Sequence, residues 1–196
     1  MLHKNVSAFV LAGGKSSRMG TNKAFLSLNG STLVEQARAL VAQVCEKVFI
    51  LGPRDLYSHL GECLEDVYPD CGPLGGIHVA LLNSPTPHSL IIAVDTPFIT
   101  AGFLDYLIER ALSSSAMVTS PRIGGVVQPT CAVFTHDFLA IAEAALQAGQ
   151  YKIEPLFPKD KTLLLEEADI NRFALGAQMF DNLNTPEDFE RARKRR

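Results

Sequence analysis

The sequence predicts an α/β fold, in which helices cover both faces of a mostly parallel sheet to give a three-layer sandwich. Short apolar segments alternate along the chain with amphipathic ones, as in a repeated strand and helix arrangement. Several apolar segments are hydrophobic on both faces, which is typical of strands covered by helices on each side. The segments predicted as strands are 7–11, 48–51, 90–94, 117–120 and 131–134.

The first helix is predicted to follow a tight hairpin. Asn29 and Gly30 form a two-residue turn signal. Thr32 and Glu35 then have the spacing of a capping box, and apolar residues recur at helical spacing as far as Cys45. The helix therefore returns the chain to the second strand.

The later helices also carry start or stop signals. Glycines in 72–76 lead into an apolar segment, Thr100 can cap the next helix, and the helix predicted over 137–147 stops at Gly149. An edge strand is predicted at 162–166. The last helix begins with Thr185 as cap, Pro186 at its first position and Asp188 completing a capping box.

Length and composition limit the classes of protein to which this chain can belong. The chain has 196 residues, 47% hydrophobic and 20% charged, which predicts one domain over 1–196 with a sizeable core. No apolar run reaches the roughly 18 to 20 residues of a membrane span, and no signal peptide is evident, so we expect a cytoplasmic protein without membrane contact. A net charge of −3 argues against a nucleic-acid surface.

The cysteines predict neither a disulfide framework nor a structural metal site. They form no Cys-x-x-Cys pair and have no histidine at zinc-site spacing. Ordinary core or surface thiols are expected at Cys45, Cys63, Cys71 and Cys131.

The opening segment has the composition of a phosphate-binding loop. An apolar run over 6–11 stops abruptly before glycines, serines and cations. Glycines allow backbone N–H groups to approach an anion, and Arg and Lys supply positive charge. The segment is not a P-loop, because Phe9 stands where the first glycine is required, and it does not fit the dinucleotide pattern. An anion-binding loop is favoured over a flexible turn; its residues include Gly13, Gly14, Lys15, Arg18, Gly20 and Lys23.

Asp95 is the strongest single candidate for a metal ligand. It ends the apolar run 89–94, and Thr96 and Pro97 follow it. An aspartate at the carboxyl end of a central strand lies beside the ligand crevice of an α/β sheet. Mg²⁺ prefers one or two carboxylates together with phosphate oxygens and waters. The alternative is an Asx turn before Pro97.

These segments together resemble the nucleotidyltransferases that move a nucleoside monophosphate onto a phosphorylated acceptor, and most of all the molybdenum cofactor guanylyltransferases. The resemblance covers nearly the whole chain and implies a Rossmann-like sheet of the nucleotide-diphospho-sugar transferase type. It rests on Leu11-Ala12-Gly13-Gly14, Arg18-Met19-Gly20, Lys23, Glu65-Asp66, 72–76, Asp95-Thr96-Pro97, Gln128-Pro129-Thr130 and 182–188.

The resemblance implies roles for particular residues. Asp66 would contact the nucleotide, whereas the sequence alone equally allows an aspartate that caps a turn. The chain departs from the family pattern at Leu51, where related guanylyltransferases carry a polar residue. The implied catalytic residues are Arg18, Lys23 and Asp95, with Asp95 as the Mg²⁺ ligand. The implied nucleotide-binding residues are Leu11, Ala12, Gly13, Gly14, Lys23, Asp66 and Asp95, with Asn182 and Asn184 as weaker candidates.

The implied reaction transfers GMP from GTP to the phosphate of the molybdopterin cofactor, forming its guanine dinucleotide and releasing pyrophosphate. The implied partners are those substrates and, transiently, proteins that make or receive the cofactor. A cytidylyltransferase acting on the same cofactor is one alternative, but Gly13, the glycines of 72–76 and Asn184 favour the guanylyl reaction. A sugar-phosphate nucleotidyltransferase is a more distant alternative, and a nucleotide-binding cofactor carrier without catalysis is an alternative of another class.

Overall fold

The computed structural model describes residues 2–13 and 22–193, in which strands and helices alternate. The strands are β1 (His3–Leu11), β2 (Ser27–Leu28), β3 (Ser31–Thr32), β4 (Cys45–Leu51), β5 (Glu62–Leu64), β6 (His88–Ala93), β7 (Val118–Ile123), β8 (Val126–Val127), β9 (Cys131–Thr135) and β10 (Thr162–Leu165). The α-helices are α1 (Leu33–Val41), α2 (Arg54–Tyr57), α3 (Pro73–Asn83), α4 (Ala101–Leu112), α5 (Phe138–Gln147), α6 (Glu167–Ile170) and α7 (Pro186–Arg193). Short 3₁₀ turns cover Lys23–Phe25, Ser58–Leu60, Glu154–Leu156, Lys159–Lys161 and Gly176–Phe180.

The main sheet has the strand order β10-β7-β9-β6-β1-β4-β5, with β8 paired to β7. Strand β1 is an interior strand of this sheet and pairs in parallel with β4 and β6. The pairs β4 with β5 and β7 with β10 are also parallel, whereas β9 runs antiparallel to both of its neighbours. The mostly parallel sheet predicted from the sequence is therefore confirmed.

Alternate side chains of the central strands enter two separate hydrophobic clusters. Val10 and Leu90 belong to the cluster that α1 and α4 cover. Their chain neighbours Phe9 and Ile91 belong to the cluster that α3 and α5 cover. Because successive residues of a strand point to opposite faces, a strand that is apolar throughout needs helices on both sides. The three-layer arrangement follows.

The early capping signals are confirmed, but the predicted end of the first helix is wrong. Asn29 and Gly30 have φ angles of 55° and 92° in the turn between β2 and β3. Thr32 and Glu35 form both hydrogen bonds of the capping box. Helix α1 ends at Val41 rather than continuing to Cys45, because Cys45 already begins β4 and pairs with β1.

The cysteines are core residues. All four are free and buried. Burial raises the pKa of Cys45 and of Cys131 to about 12, so both stay as unreactive thiols at neutral pH. In the part of the chain that the structure describes, no helix has the length and apolar character needed to cross a bilayer.

Candidate active site

Three parallel strands bring the candidate residues to one edge of the sheet. In the register of the sheet, Leu11 at the end of β1 lies beside Leu51 of β4 and Ala93 of β6. The amide of Val94 donates to the Leu11 carbonyl at 3.3 Å. The segments that follow these strands therefore emerge side by side at the carboxyl edge, where α/β sheets bind ligands.

Lys23 joins two of the predicted site residues. Its ammonium group donates to the Asp95 carboxylate at 3.3 Å and to the Asn184 side-chain oxygen at 2.7 Å. The Lys23 side chain is only 14% exposed, whereas that of Asp95 is 29% exposed. A cation in a partly buried site is thus already held between a carboxylate and an amide oxygen.

The backbone fixes the asparagine segment against Asp95. The amide of Leu183 donates to the Asp95 carbonyl at 2.9 Å. The amides of Asn184 and Thr185 both donate to the Asp188 carboxylate, at 3.0 and 2.9 Å, so the capping box that begins α7 also fixes this segment. The hydrogen bond from the Asn184 amide, then those with the Arg191 and Thr185 side chains, and last that from the Thr185 amide lower the pKa of Asp188 to about 2 and keep it ionised.

Asn182 is exposed and lines a cavity of about 180 Å³ with residues of α7, including Asp188 and Arg191. Among the described residues, Asn184 hydrogen-bonds to Lys23, whereas no hydrogen bond joins Asn182 to Lys23 or to Asp95. The role of Asn182 stays a prediction.

The glycine-rich loop is described only at its two ends. Gly14, Lys15, Arg18 and Gly20 lie outside the described residues. The amides of Ala12 and Gly13 both donate to the Leu51 carbonyl, each at 3.0 Å. The expectation that these two N–H groups bind an anion is therefore wrong, because the neighbouring strand already accepts both hydrogen bonds.

Asp66 lies beside the glycines at the start of α3. A Cβ on Gly75 would be 3.6 Å from the Asp66 carboxylate, and one on Gly76 would collide with the side chain of Leu11. Glycine at both positions thus lets α3 approach the ends of the strands closely. Of the described residues, none donates a hydrogen bond to the Asp66 carboxylate. Partial burial raises the pKa of Asp66, and nearby His78 opposes that shift.

Leu51 contributes to the edge in a different way from a polar residue. Its side chain is buried and packs in the cluster that α3 covers. Its carbonyl accepts the two amides that follow β1. The departure from the family pattern therefore leaves a buried apolar side chain at this position. The Leu51 carbonyl still holds the start of the glycine-rich loop through its two hydrogen bonds.

Tyr57 is a residue that the sequence analysis missed. Its hydroxyl donates to the Ala12 carbonyl at 3.0 Å and accepts from the Asn22 side-chain amide at 2.9 Å. Tyr57 ends the short helix α2, where no motif marks it. The only sequence signal was Asn22, a residue type that caps helical turns, directly before Lys23.

The residues present fit a magnesium ion. The described part of the chain contains no group of three or more His, Cys, Asp or Glu side chains that could form a protein-only metal site. Mg²⁺ instead uses one or two carboxylates and completes its shell with water and phosphate oxygens. The Asp95 carboxylate and the Asn184 side-chain oxygen, which both accept from the Lys23 ammonium group, are oxygen donors of this kind.

A family model described as the MobA-like NTP transferase domain matches residues 8–161. A molybdenum cofactor guanylyltransferase from Syntrophotalea carbinolica is 32% identical over 190 residues, which cover 96% of this chain and 90% of the relative. A probable molybdenum cofactor guanylyltransferase from Natronomonas pharaonis is 34% identical over 197 residues, covering 95% of this chain and 96% of the relative.

A solved structure shares the fold. Molybdopterin-guanine dinucleotide biosynthesis protein A from Archaeoglobus fulgidus superposes with a TM-score of 0.83 and 22% sequence identity, covering 95% of this chain and 96% of that one. The shared fold and the matches in sequence therefore indicate the same family. The chain belongs to the MobA-like NTP transferase family of nucleotidyltransferases.

Proposed function

We propose that this chain transfers GMP from GTP to the phosphate of the molybdopterin cofactor, forming the guanine dinucleotide and releasing pyrophosphate. The observation that carries the proposal is the cluster of Lys23, Asp95 and Asn184 at the carboxyl edge of the sheet. The relatives named as molybdenum cofactor guanylyltransferases, each matched over nearly its whole length, supply the choice of substrates.

The reaction needs charge neutralisation and positioning more than a general base. A phosphomonoester with a second pKa of about 6 is mostly dianionic at neutral pH and is itself a nucleophile. The structure does contain one His-carboxylate pair that the sequence did not indicate, His3 with Asp105 at 2.7 Å. His3 begins β1, whereas the candidate site lies beyond the end of that strand, so the pair is remote from the proposed chemistry.

Each residue then has a distinct role. Asp95, aided by the Asn184 oxygen, would hold Mg²⁺, which when bound neutralises charge on the phosphates. Lys23 places its ammonium group against the triphosphate, and Arg18 adds a second cation. Asp66 accepts a hydrogen bond from the nucleoside. The remaining nucleotide-binding residues of the proposal are Leu11, Ala12, Gly13 and Gly14, of which Gly14 lies outside the described residues.

The same reaction implies a cellular compartment and protein partners. We place the reaction in the cytoplasm, because four free cysteines fit a reducing compartment. One domain over 1–196 carries it out. Transient contact with proteins that make or receive the cofactor belongs to the same proposal, since such a cofactor must be delivered and handed on.

A direct assay tests this function. The chain is incubated with Mg²⁺ and molybdopterin and with each of the four nucleoside triphosphates in turn, and pyrophosphate and the dinucleotide product are measured. Release of pyrophosphate with GTP, together with a guanine dinucleotide of the expected mass, is the expected result. Preferred use of CTP would replace the proposal with a cytidylyltransferase, and tight nucleotide binding without pyrophosphate would indicate a carrier.

A further inference from the structure

We propose that Tyr57 is a positioning residue, whose hydroxyl joins the two ends of the glycine-rich loop and so orients Lys23 for the triphosphate. The inference rests on the proposed function and deepens it. The loop follows β1 at Ala12 and ends at Asn22, directly before the turn Lys23–Phe25, and the same hydroxyl group contacts Ala12 and Asn22.

The hydroxyl of Tyr57 has both of its hydrogen-bonding roles filled by the loop ends. Tyr57 is fully buried. It donates to the Ala12 carbonyl and accepts from the Asn22 amide, across sequence separations of 45 and 35 residues. A buried hydroxyl that bridges two distant segments fixes their separation, because losing it would remove the partner of a buried carbonyl and of a partly buried amide group.

Asn22 carries this constraint to Lys23. The Asn22 side-chain oxygen accepts the Ala24 amide at 3.1 Å and so caps the turn Lys23–Phe25. Its side-chain nitrogen donates to Tyr57, so one amide group joins the tyrosine to the turn that bears the lysine. The direction of the Lys23 side chain toward Asp95 therefore depends on a chain of hydrogen bonds that passes through Tyr57.

The ring of Tyr57 supports the same turn. It stacks on the Phe25 ring with centroids 5.3 Å apart and planes 14° from parallel. Gly52 makes room for it, because a Cβ there would lie 2.7 Å from the Tyr57 ring. Burial raises the pKa of Tyr57, so its hydroxyl keeps the proton that it donates. Tyr57→Phe would keep the stacking and remove only the bridging hydroxyl.

The test compares Tyr57→Phe with a matched control, Tyr106→Phe. Tyr106 also donates to one side chain, that of Asp169, and accepts from another, that of Arg110, but it lies on α4 outside the site. Both variants should fold, as circular dichroism and thermal unfolding will show. Tyr57→Phe should lose on the order of 10- to 100-fold in kcat/KM for GTP and bind it more weakly in calorimetry, while Tyr106→Phe matches the original chain.

A double-variant cycle separates positioning from a general structural role. If Tyr57 acts through Lys23, then Tyr57→Phe should have little further effect in a chain that already carries Lys23→Gln. Asn22→Asp keeps the oxygen that caps the turn but removes the donor to Tyr57, and it should weaken GTP binding in the same direction. Multiplicative losses in the double variant would overturn the inference, as would GTP binding and turnover by Tyr57→Phe equal to those of the control.

The outcomes also separate this inference from the proposed function. If the original chain binds and uses CTP in preference to GTP, the proposed substrate is wrong, and the same comparisons are made with CTP. A selective loss in Tyr57→Phe with that nucleotide would still support the positioning role. Equal behaviour of Tyr57→Phe and Tyr106→Phe with the preferred nucleotide would overturn the role while the proposed transfer reaction stands.

Discussion

The candidate site joins a densely hydrogen-bonded side at Lys23 to an open side at Asp66. At Lys23, the ammonium group donates to Asp95 and to Asn184, which is 161 residues further along the chain. At Asp66, the described residues supply glycine backbone and a nearby histidine, but no hydrogen bond to the carboxylate. The two sides thus differ in how far the protein satisfies its own polar groups.

This difference matches two tasks in the proposed reaction. Charge that develops on phosphates is stabilised best by groups held in place beforehand, since they need no reorganisation during the reaction. Recognition of a nucleoside works differently, because an unpaired acceptor rejects ligands that lack the matching donor. We therefore expect the Lys23 side to govern turnover and the Asp66 side to govern nucleotide choice.

The largest effect is expected for Asp95→Asn, which keeps the size of the side chain and removes its charge. Turnover should fall on the order of 10²- to 10³-fold in steady-state pyrophosphate release, because the carboxylate that balances Lys23 and would hold Mg²⁺ is gone. Asp105→Asn is a matched control, since Asp105 also pairs with a basic side chain but lies beside the start of β1. Near-normal turnover by Asp95→Asn would contradict the assignment.

A smaller effect is expected for Lys23→Gln, which retains a polar side chain of similar reach. It should lower kcat/KM for GTP by about 10- to 100-fold, because a charge-assisted contact to phosphate is replaced by a neutral one. Lys152→Gln serves as control, since Lys152 is an exposed lysine outside the cluster. A stable protein with unchanged kcat/KM would place Lys23 outside the phosphate site and leave its pairing with Asp95 merely structural.

The sequence anticipated the parts of the site that depend on local pattern. Asp95 was found because an aspartate ends an apolar strand, and the fold followed from strands that are apolar on both faces. The family resemblance named Lys23 and Asn184 as site residues, but their contact was not predicted, because no local pattern links residues so far apart. The capping box at Thr185 was predicted, but not that the same carboxylate, Asp188, would fix Asn184 beside Asp95.

Other features needed the three-dimensional structure. Glycine spacing cannot show whether an amide faces a ligand or a neighbouring strand, and the Leu51 carbonyl proved to accept the amides of Ala12 and Gly13. Tyr57 was missed because its role depends on two contacts that are remote in sequence. Residues whose function lies in long-range hydrogen bonds carry little local signal, whereas strand ends and caps carry much of it.

The smallest effect is expected for Asp66→Asn, which tests the open side. The variant should raise KM for GTP several-fold, on the order of one hydrogen bond to a charged acceptor, and leave kcat almost unchanged. It should also discriminate less between GTP and the other triphosphates. Competition assays with pairs of triphosphates measure this directly. A fall in kcat with unchanged discrimination would contradict the division between the two sides.

The pH dependence of GTP affinity gives a further test of Asp66. Burial raises its pKa, so the ionised acceptor should be lost at a higher pH than for an ordinary aspartate, and GTP affinity should fall as the solution is acidified. The ratio of the affinities of the original chain and Asp66→Asn cancels the titration of GTP itself and should approach one at low pH.

The stability of the chain gives a second test of Asp66. Because the raised pKa means that ionisation disfavours the folded state, any stability from this group is present at acid pH and lost as pH rises through the folded pKa. Asp66→Asn should therefore not lower the melting temperature at neutral pH, whereas removing an aspartate that caps a turn would lower it.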